Sequence, residues 1–385
     1  MDIMDESLAL HRQLKGKIEI KSKKKIKDMH DMSLVYTPGV ASACLAIKNQ
    51  PSEAYNLTAK SNTIAVISDG TAVLGLGDIG PLAAIPVMEG KAALFKRFAG
   101  LDAIPIVLNT KDVDELVETI YRLSPSFGGI NLEDISAPRC FEVERRLKEM
   151  CDIPVFHDDQ HGTAIVCGAA LLNALQLVKK KIANVKIVIN GAGSAGIAIT
   201  KFLLTLGAKN IVVCDRFGIV VDGDDRLNSA QKEISKITNL NLQKGKLDDA
   251  LVEADVFIGV SVGNVVSEQM IKSMNSDAIV FPLANPTPEI SRDKALKAGA
   301  RVVGTGVSNL PNQINNALVF PGLFKGALAA RVQQITPQME IAACKALAHI
   351  VRPSELNETH IIPNIFNRKV ALRVAKAVMK AGANE

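Results

Sequence analysis

One stretch, from Val185 to Asp215, constrains the fold more than any other. Val185-Lys186-Ile187-Val188-Ile189-Asn190 is an apolar run of strand character, and Gly191-Ala192-Gly193-Ser194-Ala195-Gly196 follows it with G-x-G-x-x-G spacing. Residues 197–206 have helical character, and a second apolar run, Ile211-Val212-Val213-Cys214, ends on Asp215. Each part has a mechanical duty in a dinucleotide-binding turn. Gly191 permits the tight turn, Gly193 lets backbone approach a pyrophosphate, and Gly196 lets helix pack closely on strand. The helix N-terminus, with Ser194 and Ala195, offers free N–H groups and a positive dipole end. Asp215 lies close to the ~20-residue spacing expected of the acid that bonds the ribose 2′-hydroxyl. Its carboxylate favours NAD, and the neighbouring Arg216 leaves NADP open.

The rest of the chain agrees with this unit. Its 385 residues suggest about two to three domains on a prior of ~150 residues each. Aromatics are only 4% and Trp is absent, so Ala, Val, Ile and Leu must fill the interior, as in helices layered on a parallel sheet. Strands are expected at 63–67, 104–108, 129–132 and 154–156, and again at 185–190, 211–214, 256–260, 278–282 and 301–304. Helices are expected at 88–98, 112–123, 163–177 and 197–206, through most of the first thirty residues and through the last sixty. The fold class is α/β, a Rossmann-type dinucleotide-binding domain (163–385, with a helical C-terminal segment) preceded by a smaller α/β domain (1–162) with a short, mostly parallel sheet.

Several function classes are disfavoured. The net charge is +5, but the basic excess gathers at Lys15, Lys17, Lys21, Lys23, Lys24, Lys25 and Lys27. No aromatic side chains interleave for base stacking, so this is read as a solvated arm, or one packed on a partner subunit, rather than a nucleic-acid site. No two of the six cysteines have Cys-x-x-Cys spacing, which points to free thiols in a reducing compartment. The acidic start Met1-Asp2-Ile3-Met4-Asp5-Glu6 carries no apolar signal core, and no run of about 18 apolar residues exists, so a cytoplasmic chain without membrane spans is expected.

Two acidic pairs carry chemistry. Glu133-Asp134 and Asp158-Asp159 each follow a strand, so they could meet in space, and an all-oxygen cluster suits Mg²⁺ or Mn²⁺. Asp159 could equally cap a helix. His157 and His161 invite a zinc reading, but no third nitrogen or sulfur ligand is near in sequence. Lys91 is the lone cation of an apolar helical segment; desolvation and a nearby metal would depress its pKa and make it a general base, while a snorkelling lysine is the plain alternative. Tyr36, in Tyr36-Thr37-Pro38-Gly39, could be a general acid or a packed turn residue.

These pieces resemble malic enzymes of the short prokaryotic type. The resemblance rests on Ser33-Leu34-Val35-Tyr36-Thr37-Pro38-Gly39-Val40, Ser68-Asp69-Gly70-Thr71, Leu74-Gly75-Leu76-Gly77-Asp78 and Glu89-Gly90-Lys91. It continues through Asn131-Leu132-Glu133-Asp134, His157-Asp158-Asp159-Gln160-His161-Gly162-Thr163-Ala164, the glycine turn, Ala284-Asn285-Pro286-Thr287-Pro288, Pro311-Asn312-Gln313-Ile314-Asn315-Asn316 and Phe320-Pro321-Gly322. The resemblance implies oxidative decarboxylation of malate to pyruvate and CO₂ with reduction of NAD(P)⁺, Mg²⁺ or Mn²⁺ as cofactor, and a homodimer. It implies Lys91 as base, Tyr36 as acid, Asp158 as the group setting the lysine's protonation, and Glu133, Asp134 and Asp159 as metal ligands. Asn285, Asn315 and Asn316 would contact substrate, with Asn285 also near the cofactor. Two departures stand out: relatives carry Arg near the positions of Val307 and Ala72, both apolar here. A dehydrogenase or decarboxylase for a related 2-hydroxy acid, and a metal- and nucleotide-binding sensor without turnover, are the competing readings.

Overall fold

A computed structural model of the chain describes residues 2–73 and 75–383; Leu74, one residue of the Leu74–Asp78 motif, lies outside them. Four parallel strands form a first sheet in the order β2-β1-β3-β4, with β1 Thr63–Ser68, β2 Asp102–Val107, β3 Gly129–Leu132 and β4 Val155–His157. β1, β3 and β4 are buried along their full length, as parallel strands covered on both faces must be. A second sheet runs β10-β9-β8-β5-β6-β7. Its members are β5 Lys186–Asn190, β6 Asn210–Asp215, β7 Gly218–Ile219, β8 Val256–Gly259, β9 Ile279–Pro282 and β10 Val302–Val303. All its pairings are parallel except β6 with β7. The two-residue β7 was not expected from the sequence, because so short a return strand leaves no periodicity.

The two sheets share one core. The helix Thr163–Leu177 buries nearly all its side chains, which its small-residue composition allows from every side. It joins residues of the first sheet (Ile64, Val66, Phe156), the second sheet (Ile187, Ile189, Ile258) and the C-terminal helices Phe320–Ala330, Pro337–Ala348 and Lys369–Gly382 in a single apolar cluster. Phe324 sits at the junction, its ring centroid 5.5 Å from that of Phe95 and 5.9 Å from that of Phe156. The remaining faces of the two sheets have their own smaller cores.

Three helical expectations change. The first thirty residues are helical only over Ile3–Leu14, ending at Lys15 in the left-handed region, and again from Met29. The lysines between repel one another and bury too little to hold a helix there. The helix expected at 88–98 spans Gly80–Ala99: Pro81 is tolerated in its first turn and Pro86 inside it, which hid its start. The last sixty residues are helical only in pieces, with 349–368 irregular. No described helix is long and apolar enough to cross a membrane.

Because Phe324 is wholly buried in the shared core against Phe95 and Phe156, Phe324→Ala should cost about 3–5 kcal/mol. Denaturant unfolding should show the loss in one cooperative transition; two separated transitions would contradict the shared core.

Candidate active site

The parallel pairing of β3 with β4 sets Leu132 beside His157, so the residues that follow each strand emerge side by side. This brings Glu133, Asp134, Asp158 and Asp159 together, as the sequence pattern suggested. Around them the ends of β1, β3 and β4 face the ends of β5, β8 and β9 across a cavity of about 750 Å³. Its lining includes Lys91, Glu133, Asp134 and Asp159 from one side and Ser194, Ala195, Asn285, Asn315 and Asn316 from the other. Ligand crevices of α/β sheets lie at such carboxyl ends.

Lys91 is the hub. Its Nζ lies 2.6 Å from Asp158 Oδ2 and 2.9 Å from Glu133 Oε1, and 4.2 Å above the centre of the Phe320 ring. All four residues are buried. The expected depression of the lysine is reversed. Burial pulls its pKa down, but Asp158 and Glu133 outweigh burial and hold the ammonium above its ordinary value. Asp158, wholly buried, is pushed up to about 6 by burial, against the pull of Lys91. Its Oδ1 has no hydrogen-bond partner and presses on Gly162, where a Cβ would come within 1.9 Å of it. No other residue fits at 162.

The acid cluster fits a hard divalent cation. Glu133, Asp134 and Asp159 each offer an oxygen within 4.8 Å of the others. Asp134 Oδ2 is buried without a partner. Burial and its acidic neighbours push Asp134 up to about 9; burial, opposed by Lys91, carries Glu133 to about 7 and Asp159 to about 6. Carboxylates that strained want a cation between them, and oxygen-only donors suit Mg²⁺ or Mn²⁺. Asp159 is no helix cap: its Oδ2 accepts from the Asp134 N–H at 2.8 Å. Zinc finds no support in the histidines. Among the described residues neither histidine joins the group of candidate ligand atoms, and His161 is spent on Glu144 (2.9 Å) and Glu340 (3.2 Å).

The dinucleotide turn has the mechanics expected of it. Gly191 has φ +120°, and a Cβ there would meet Val260 O at 2.5 Å. A Cβ at Gly196 would lie 1.6 Å from Gly191 O, so helix and turn touch through the missing side chain. At Gly193 nothing lies within 4 Å, which leaves open space for a phosphate. A second cavity of about 780 Å³ runs along this turn, lined by Asp215, Arg216 and Arg226, and meets the first at Ser261. Asp215 Oδ1 accepts from the Phe217 N–H at 2.7 Å. Arg216 stacks on Phe217 at 4.7 Å, and Arg226 is held by the Asp224 carboxylate.

Some supporting residues escaped the sequence reading. Buried Glu144 accepts from His157 N, Gln160 Nε2, His161 and Lys148, and so anchors the turn Asp158–Gly162. Buried Glu289 accepts from Ser261 N and Ala284 N, fixing the loops before Asn285. Asp69 ties Thr71 and Arg139, shaping the loop whose Ala72 N–H bonds Asp134 O. Isolated acids inside helices and loops carry no local signal of such duties. Asn315 spends its Oδ1 on the Ala317 N–H, leaving its amide for the cavity. Tyr36 is not brought to this site: it lies after the helix Met29–Val35, 66% exposed, outside the cavity lining.

Comparisons agree with this geometry. Residues 15–148 match the family model "Malic enzyme, N-terminal domain" and residues 160–383 match "Malic enzyme, NAD binding domain". The chain is 53% identical, over 99% of its length and 93% of the relative's, to the bifunctional malic/malolactic enzyme of Bacillus subtilis. It is 54% identical to the NAD-dependent malic enzyme of Geobacillus stearothermophilus, over 99% of this chain and 79% of that one. The crystal structure of the NAD-dependent malic enzyme of Thermotoga maritima superposes with a TM-score of 0.94 at 50% identity, covering 97% of this chain and 98% of that one.

The strained acids generate a pH signature. Each has a folded-state pKa above its ordinary value, so the metal-free fold binds protons more tightly than the unfolded chain and loses stability as pH rises from the ordinary carboxylate range near 4 to about 9. A divalent cation needs the ionised forms, so the rise in Tm that Mn²⁺ brings should grow over that window. Asp134→Asn should raise the Tm of metal-free protein at the alkaline end and abolish the Mn²⁺ shift. Thermal unfolding with and without Mn²⁺ checks both; a shift that is independent of pH would contradict the cluster.

Proposed function

The chain belongs to the malic enzyme family, and on that premise we propose how its cleft carries out the family reaction. It oxidises and decarboxylates malate to pyruvate and CO₂ with reduction of NAD(P)⁺. The observation that carries the residue roles is Lys91 bridging Asp158 and Glu133 at the edge of an acid cluster that faces the dinucleotide turn.

Lys91 is the base that takes the C2 hydroxyl proton, and Asp158, 2.6 Å away, shares that proton and sets when the lysine is free to accept it. Glu133, Asp134 and Asp159 would hold a divalent cation, which would supply Lewis-acid charge and offset the carboxylate charge that keeps Lys91 protonated. Gly191, Gly193, Ser194, Ala195 and Gly196 would seat the dinucleotide, whose nicotinamide would supply the acceptor for the C2 hydride. Asn285, Asn315 and Asn316 orient the substrate through side-chain amides, and Phe320 covers the Lys91 ammonium and keeps water from it. When the C3–C4 bond breaks and CO₂ leaves, its electron pair forms an enolate, which Tyr36 protonates at C3.

Tyr36 must come from a second copy of the chain. The helices Ile3–Leu14 and Val40–Asn49 bury no residue, while Met29, Leu34, Tyr36 and Leu45 are each more than half exposed. A homodimer joined through this apolar surface buries it and delivers the tyrosine. NAD is the preferred cofactor: Asp215 keeps one oxygen for the ribose, and Arg226 is neutralised by Asp224. We place the protein in the reducing cytoplasm, in keeping with its six free cysteines, five of them buried. Residues 1–162 carry the catalytic groups and 163–385 the dinucleotide site.

NADH formation at 340 nm with malate and Mn²⁺ tests the reading. Lys91→Ala should lower kcat on the order of a thousandfold; near-normal turnover would remove Lys91 from its role. Mixing Tyr36→Phe and Lys91→Ala proteins should restore about a quarter of wild-type activity, since half the dimers would hold one intact shared site. No recovery after subunit exchange would place both residues in one chain.

The cofactor preference has its own test. Asp215→Ser should raise kcat/KM with NADP relative to NAD on the order of tenfold, because the repelling carboxylate is gone while Arg216 remains. An unchanged ratio would assign the preference elsewhere.

A further inference from the structure

The charge balance of the cleft is incomplete with the residues used so far. Four carboxylates, Glu133, Asp134, Asp158 and Asp159, crowd around one ammonium, and that ammonium is already spent on two of them. Even with a divalent cation and Lys91, the four carboxylates would leave the site one negative charge in excess before a dianionic substrate arrives. Ala72 lines the cavity and Val307 stands near its rim beside Gly306, and neither can contribute charge. Burying an unpaired carboxylate is costly, so a second cation is required.

Among the described residues that line the cavity, the other lysine is Lys17. It belongs to the lysine-rich arm, but it is placed unlike its neighbours. Gly16, at φ +120°, turns the chain against the helix Gly80–Ala99, and the Lys17 N–H donates to Glu89 Oε2 at 2.9 Å. The Lys17 side chain then runs along that helix to donate to Pro86 O at 2.6 Å. A Cβ at Gly90, the residue before Lys91, would sit 3.6 Å from Lys17 Nζ and meet nothing else within 4 Å. Lys15, Lys21, Lys23, Lys24, Lys25 and Lys27 are exposed, whereas Lys17 is half-buried.

The ammonium of Lys17 is also under-used. An ammonium has three donors. Lys60, a purely structural lysine, spends its donors on Ser124 O, Pro125 O and Phe127 O. Lys17 Nζ donates to the single neutral carbonyl of Pro86, and the Glu89 carboxylate that accepts from the Lys17 N–H attracts the ammonium without forming an ion pair with it among the described residues. Two of its donors remain for a ligand, and Lys17 lines the cavity.

We infer that Lys17 is the substrate-binding cation of this site, pairing with the malate carboxylate that survives as the carboxylate of pyruvate. The inference rests on the malate reading above. The choice of carboxylate follows from the chemistry. The departing carboxylate must push its electron pair into C3, and an ammonium clamped on it would stabilise the ground state more than the transition state. A cation on the retained carboxylate carries no such penalty, and it binds product as well as substrate. Lysine suits the task because its flexible four-carbon stem lets the head leave the Pro86 carbonyl for a ligand without moving the arm.

Lys17→Met keeps the length of the side chain and removes the charge. In the NADH assay its KM for malate should rise about tenfold or more, with kcat and the KM for NAD changed less than about threefold, as expected for uniform binding lost from substrate and transition state alike. The inhibition constant of pyruvate as product should rise by a similar factor, and Lys17→Arg should recover most of both. An unchanged malate KM, or pyruvate inhibition that stays at the wild-type value, would overturn the assignment. A kcat loss that Arg does not rescue would reduce Lys17 to a structural pin and overturn it as well. Malate titrated calorimetrically into wild-type and Lys17→Met protein loaded with Mn²⁺ and NADH reads the same difference without turnover. Wild-type protein that binds malate through Lys17 but forms no NADH would therefore count against the activity, not against Lys17.

Discussion

Four carboxylates and one lysine share a largely buried corner of the cleft, and the rest of the structure is arranged to make that tolerable. Removing an ion from water costs several kcal/mol even after relaxation, and like charges at short range add to it. The fold meets the cost with rigid backbone. β3 and β4 deliver the acids in adjacent register, Glu144 locks the turn that carries Asp158 and Asp159, and the Thr71–Arg139–Asp69 latch holds the backbone contact to Asp134. What remains unbalanced is electrostatic: it is stored as raised carboxylate pKa values and as the orphaned Asp134 Oδ2, and it is directed at a ligand with positive charge.

The helix Thr163–Leu177 ties this pocket to the dinucleotide turn. It begins where the Asp158–Gly162 turn ends, and it packs against the helix Ser194–Thr205 that follows the glycine turn. Phe202 fills the notch that Gly168 leaves, since a Cβ there would lie 2.7 Å from its ring. Lys91 and the glycine turn are thus set by one core and not by loops alone. Positioning on rigid elements of this kind is what converts an encounter of two reactants into an oriented reaction.

Much of this was legible in the sequence, for identifiable reasons. The glycine fingerprint carries its own mechanics, and the structure meets each glycine with a backbone oxygen or an open space where a side chain would have been. The acid pairs were readable because each follows a strand, and strand ends of a parallel sheet converge. The helix 163–177 was readable to the residue because its small apolar residues are unbroken. Features set by long-range contact were not readable. Glu144, Glu289 and Phe320 act on residues distant in sequence, Pro81 and Pro86 disguise a helix that tolerates them, and Lys91 is raised by two carboxylates where its apolar neighbours alone implied the opposite.

The first fifty residues show the limit most clearly. In sequence the lysines of the arm are equivalent and Tyr36 is one turn residue among others. In the fold, this segment adds almost nothing to the core: its helices Ile3–Leu14 and Val40–Asn49 bury no residue, and Met29–Val35 buries only Asp31. A segment that contributes so little burial is not retained in place by its own stability. Among the described residues, what ties it to the body of the fold are a glycine at positive φ, one backbone bond to Glu89 and one lysine laid across Gly90 beside Lys91. Both of those hydrogen bonds are made to the helix that carries Lys91, so the arm is held by the element beside the site and not by the core.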